Sequence, residues 1–227
     1  MDFLEKEEVL EEEAQVVVGK KMILNETEKE LISKEIEALE KASSVELVAV
    51  ITQRSGDYKL ASPMYSIFLV FCASLYFALF TDKSTFELVQ IQLLIFIGFY
   101  LFFEYFKDFF FSILPKSYKY QIASTNANKQ FYNLKLDQTK TKQAIMFFVS
   151  LDEKYVEIIC DEKISKEIPD IHWRFIIDEF INDVKLNQLS SGYIKAINAC
   201  SMILIEKFPI EKNDENELPN EVIEIKS

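Results

Sequence analysis

Two places in the chain set carboxylates where they can do chemistry. Glu46 opens the apolar run Glu46-Leu47-Val48-Ala49-Val50-Ile51-Thr52, and Asp161-Glu162 follows another, Tyr155-Val156-Glu157-Ile158-Ile159-Cys160. Both runs read as strands. Carboxylates at strand ends of an α/β sheet can converge at one edge, where ligands bind. Two such groups can hold a hard cation, calcium or magnesium, through oxygen ligands. Glu46 and Asp161 are therefore the candidate metal ligands. The same side chains also serve as ordinary turn or cap residues, because exposed strand ends are commonly acidic, and the sequence leaves both readings open. Asp152-Glu153 is accounted for by turn chemistry alone.

Other chemistries find little footing. His172 is the only histidine, and no serine or cysteine is spaced to build a triad with it. Cys72, Cys160 and Cys200 form no CxxC pair, which argues against zinc and fits a reducing compartment. There is no GxGxxG and no phosphate-binding loop among only four glycines. With 37 acidic against 25 basic side chains, the net charge of -12 argues against nucleic acid as a partner. The acidic excess gathers towards both ends of the chain and reads as solvated surface.

The elements that must position these residues are interrupted by two long apolar runs, Pro63–Phe80 and Phe86–Phe103. The polar stub Thr81-Asp82-Lys83-Ser84-Thr85 joins them. Each run has about the 17–25 residues a helix needs to cross a bilayer. Neither shows the polar face, recurring every 3.6 residues, of a helix in a soluble core. They predict a membrane-spanning hairpin, with the lipid bilayer as first partner. Arg54 and Lys59 before it, and Lys107, Lys116 and Lys119 after it, outnumber Lys83 in the stub, so both flanks are expected on the cytoplasmic side. Tyr65, Tyr100 and Tyr105 suit the lipid–water boundary; Gln90 and Gln92, near the start of the second run, could bond across the two helices, although at a run's edge such residues more often face headgroups. Phe109-Phe110-Phe111 reads as an interfacial segment.

About 170 residues lie outside the hairpin, enough for one ordinary domain. Thr27-Glu28-Lys29-Glu30 predicts a capped helix running to about Ala42, and Leu4–Val18 a helix before it. Val45–Thr52 is nearly continuous in apolar residues, as in a strand covered on both faces. Ile122–Leu134 reads as a helix. Ala144–Ser150 and Tyr155–Cys160 read as an antiparallel hairpin of strands, and Ile171–Leu186 and Gly192–Phe208 as two closing helices. The tail is expected to be acidic and mobile apart from Val222–Ile225. This order implies an α/β sandwich: a mixed sheet flanked by helices, its first strand parallel to Ala144–Ser150, with the two-helix transmembrane hairpin inserted after the first strand.

Several stretches then resemble one family. Ile36-Glu37-Ala38-Leu39-Glu40-Lys41-Ala42-Ser43-Ser44-Val45-Glu46 is similar to the opening of the TPM domain, where a helix runs into a Ser-Gly-Glu strand. Phe148–Ile158 with Asp161-Glu162-Lys163-Ile164 resembles its central hairpin and acidic loop. Trp173–Phe180 and Gly192–Pro209 resemble its closing helices. Glu217–Ile225 resembles the tail of the family's bacterial membrane-embedded branch. Valine stands where the family has glycine at position 45, and the usual glycine before the central strand is missing around Lys142-Gln143-Ala144. The resemblance implies an α/β sandwich in a bacterial inner membrane, multi-pass, with the domain and both termini cytoplasmic. Residues 1–59 and 115–210 would form the domain, 60–114 the hairpin and interfacial segment, and 211–227 an acidic tail. Family members act as auxiliary subunits of membrane complexes or are proposed as acid phosphatases. The expected function is therefore a non-enzymatic one, binding a membrane-protein partner or assisting assembly; the alternative is a metal-dependent phosphatase.

Overall fold

The computed structural model describes residues 23–82, 84–211 and 216–225. The expected helix at Leu4–Val18 lies outside them. The chain divides into two compact units, one of residues up to Arg54 together with those from Ala127 onward, the other Ser55–Asn126.

The first unit holds a four-stranded mixed sheet. Helix α1 (Glu26–Glu40) begins two residues earlier than the Thr27 cap predicts. Asn25 is the cap: its side chain accepts from the Glu28 amide at 2.8 Å, and Glu28 returns the bond to the Asn25 amide at 2.8 Å. Thr27-x-x-Glu30 and Asn25-x-x-Glu28 both match the capping pattern. Burial of Leu24 favours the earlier one by fixing where the chain enters. Strand β1 (Glu46–Thr52) is fully buried and pairs in parallel with β2 (Ala144–Ser150), Glu46 opposite Ala144 and Thr52 opposite Ser150. Strand β3 (Tyr155–Cys160) pairs antiparallel with β2. A short β4 (Ile223–Ile225), from the tail, pairs in parallel with the other side of β1, giving the order β3-β2-β1-β4.

Alternation along β1 and β2 feeds two cores, as a period of two requires. Leu47, Ala49, Ile51, Ile145, Phe147 and Val149 pack with α1 and with two helices from the end of the chain, α7 (Asp170–Lys185) and α8 (Leu189–Lys207). Phe147, Phe180 and Tyr193 meet there with ring centroids 5.0–5.3 Å apart. Such aromatic contacts add about 0.5–1.5 kcal/mol each beyond their burial. Gly192 lets α7 and α8 approach, since a Cβ on it would lie 3.1 Å from the Asp183 Cβ. On the opposite face Val48, Val50, Ala144, Met146 and Phe148 pack with Ala127 and Phe131, from the C-terminal half of a helix spanning Lys116–Asn133 (α5). Helices on both faces make the expected sandwich. Among the described residues, two short helices were not anticipated, a 3-10 turn at Leu136–Gln138 and α6 (Glu162–Glu167) after β3.

The second unit carries the apolar insertion, which in the sequence follows β1. Helices α2 (Ala61–Phe80) and α3 (Thr85–Tyr105) have 20 and 21 residues and a mean hydropathy of 1.9. Only 6% of each apolar window is buried, unlike the helix of a soluble core. Both are long and apolar enough to cross a membrane. Ser84 caps α3 with Glu87 in a capping box. Gln92 takes the interhelical alternative: its Nε2 donates to the Ser74 Oγ at 2.8 Å, joining the two helices. A polar side chain without water nearby finds its best partner on the neighbouring helix. A short helix, α4 (Lys107–Ile113), follows, its Phe110 buried with Tyr58, Phe103 and Leu114.

Candidate functional site

At the amino end of β1 a cavity of about 350 Å³ opens among Glu37, Glu40, Lys41, Glu46, Asn216 and Asn220. The sequence builds it simply. Helix α1 runs out at Glu40, with Lys41 as its C-terminal cap. Ser43 and Ser44 turn the chain while buried: the Ser43 hydroxyl donates to the Phe208 carbonyl at 2.7 Å, and that of Ser44 to the Gln143 side chain at 2.8 Å. Glu46 then starts β1 with only 6% of its surface exposed. The tail closes the rim.

Two carboxylates hold that tail and the strand. The Glu40 Oε1 accepts from the Leu47 amide at 3.1 Å and its Oε2 from the Asn216 side-chain amide at 3.1 Å. The Glu46 Oε1 accepts from the Glu217 amide at 3.1 Å. Burial raises the Glu40 carboxyl to about 8; the Leu47 amide opposes the rise, and the negative charge of Glu46 adds to it. At neutral pH Glu40 therefore keeps its proton beside Glu46. Such a pair can share one proton, or exchange that proton for a cation.

Of the two predicted ligands, Glu46 faces this cavity and Asp161 does not line it. Asp161 lies at the same end of the sheet, its amide donating to the Ala144 carbonyl at 2.9 Å, so that β2 stands between it and Glu46. Two strand spacings make about 10 Å, whereas calcium binds oxygens at about 2.3–2.6 Å. The Asp161 Oδ1 accepts from the Glu162 amide at 2.7 Å and caps α6. Among the described residues no three His, Cys, Asp or Glu side chains gather as a metal would need. Both carboxylates lie at the amino end of the parallel strands, opposite to the end where α/β sheets usually bind ligands.

Sequence reasoning missed Glu40 as a site residue. Its burial depends on residues 216–220, far along the chain, so no local pattern announces it. Asp152-Glu153 also does more than turn the chain. Asp152 accepts from the Gln53 side chain and, at 2.7 Å, from the Arg54 Nε, while the buried Glu153 accepts from the Ser150 hydroxyl. The cysteines are free thiols; burial pushes Cys160 well above its usual range and Cys200 up to about 12, leaving both unreactive. His172 is exposed at the start of α7.

A mixed sheet between helix layers, with an apolar helical pair inserted after its first strand, defines the class as an α/β sandwich carrying two helices long and apolar enough to cross a membrane. The family model described as TPM domain matches residues 107–203, from α4 through most of α8. That stretch is thus similar to a TPM domain. An NMR structure of BA42 protein, from the psychrophilic bacterium Bizionia argentinensis, shares the fold: the TM-score is 0.55 at 18% identity, covering 90% of this chain and 97% of that one. No match was found among curated proteins.

Proposed function

We propose that this chain is a membrane-anchored TPM-domain protein of the bacterial inner-membrane branch, and that it binds a membrane-protein partner or assists assembly of a membrane complex rather than turning over a substrate. The observation that carries this reading is the exposed apolar pair α2 and α3, inserted in the connection between β1 and β2. An insertion there tethers the sheet to the bilayer through its own backbone. The lysines and arginine flanking the pair favour a cytoplasmic domain with the stub outside.

Crosslinking in native membranes, followed by gentle solubilisation and pull-down, tests it. A discrete crosslinked complex is the expected result; recovery of monomer alone overturns the reading. The Glu40–Glu46 cavity favours one rival, a metal-dependent phosphatase in which a cation held there polarises a phosphoryl oxygen. Purified full-length protein assayed on phosphate esters, with and without calcium or magnesium, separates the two. Metal-dependent turnover abolished by Glu46→Gln would install the phosphatase in its place.

A further inference from the structure

At the other end of β2 a second cavity, about 310 Å³, lies between the β2–β3 turn and α7. Its walls are apolar: Val149, Leu151, Val156, Phe180, Ile181 and Val184, with the Tyr155 ring beside them. The exposed Lys154 and Lys185 line it as well. Neither lysine forms an ion pair among the described residues, whereas Lys29, Lys41, Lys59, Lys107, Lys166 and Lys195 do. In a chain of net charge -12, the charged residues that line this apolar hollow are both cations, Lys154 and Lys185. The hollow also sits at the carboxyl end of the parallel strands, where sheets of this kind bind ligands.

We propose that this cavity binds a small, soluble organic anion: a carboxylate attached to a compact apolar body. The apolar walls take the body, and Lys154 and Lys185 take the carboxylate. The volume lies at the low end of ligand pockets, which limits the guest to something on the order of ten to fifteen non-hydrogen atoms. Both lysines remain wet, so each contributes modestly and selection for the anion comes from the two acting together. Lys154 has a left-handed backbone, φ 53°, a conformation that asparagine tolerates well. Lys154→Asn therefore removes the charge without disturbing the turn.

The test uses full-length protein in zwitterionic nanodiscs and three probes with one shared body: 4-phenylbutyrate, 4-phenylbutanol and 4-phenylbutylammonium. Binding is read by saturation-transfer NMR against empty nanodiscs. The expected dissociation constant for the acid is on the order of 0.1–1 mM, about tenfold tighter than for the amine. Lys154→Asn with Lys185→Gln should weaken the acid about tenfold and leave the alcohol unchanged. Val184→Phe, which fills the hollow, should abolish all three. Equal binding of the three probes, absence of binding by the acid, or an acid affinity indifferent to the lysine pair would each overturn the proposal. The lysine variants decide even if Val184→Phe fails to fold, because both positions are exposed.

Discussion

Glu40→Gln should change how stability depends on pH. In the folded protein the Glu40 carboxyl titrates at about 8, against 4.5 for an unburied glutamate. Between these values the folded state keeps a proton that the unfolded state has released, so this group's contribution to stability falls as pH rises from about 4.5 to 8. The full shift corresponds to roughly 5 kcal/mol. Glu40 borders an open cavity, and solvent screening reduces the expected loss to about 1–3 kcal/mol. Glutamine keeps the acceptor for the Leu47 amide and cannot ionise. Variant and wild type should therefore have similar stability near pH 5, with the variant gaining by about 1–3 kcal/mol at pH 9. Trp173, the single tryptophan and buried in the core, reports domain unfolding by fluorescence in detergent. Parallel pH profiles for the two proteins would refute the assignment of a retained proton to Glu40.

Three other outcomes are expected. Phe147→Ala should cost about 3–5 kcal/mol in urea unfolding followed through Trp173, because it empties the centre of the aromatic cluster. In a double-mutant cycle on helix-pair stability in detergent, Gln92→Leu and Ser74→Ala should show a coupling of about 0.6 kcal/mol, the average for interhelical hydrogen bonds in lipid; zero coupling would mean the bond does not form. A cysteine at Ser84 should react with an impermeant thiol reagent added to intact cells, and one at Ser190 should not; the native Cys160, half-buried, and Cys200, buried, both held as thiols, should give no background. The opposite labelling pattern would place the domain outside the cytoplasm.

Strands β2 and β3 were legible to the residue because their apolar residues are continuous and only a four-residue turn parts them. The parallel pairing of β1 with β2 followed from the helices between them. What escaped was non-local. Strand β4 is three residues long, and its partners, Val50–Thr52, lie far back in the chain, so nothing in Ile223-Glu224-Ile225 names them. Glu224 looked like tail charge, yet it pairs with Lys29 at 3.1 Å. Glu40 sits on α1 beside Glu37 and Lys41, and the returning tail is what half-buries it. Glu46 and Asp161 were found at strand ends as expected, but pattern alone could not reveal that β2 would part them.

The interruption between β1 and β2 also imposes an order on biosynthesis. Strand β1 leaves the ribosome long before its neighbour, because α2 to α5 must be made first. Roughly a hundred residues at about 5–20 per second is a delay of about 5–20 s. For that time Glu46–Thr52 is an unpaired, β-branched apolar segment with both edges open, the kind that seeds aggregation. In the proposed membrane-anchored arrangement, capture of α2 by the insertion machinery would fall within the same interval and hold the nascent strand at the bilayer, apart from other copies. The sheet would then close only after the hairpin is in place.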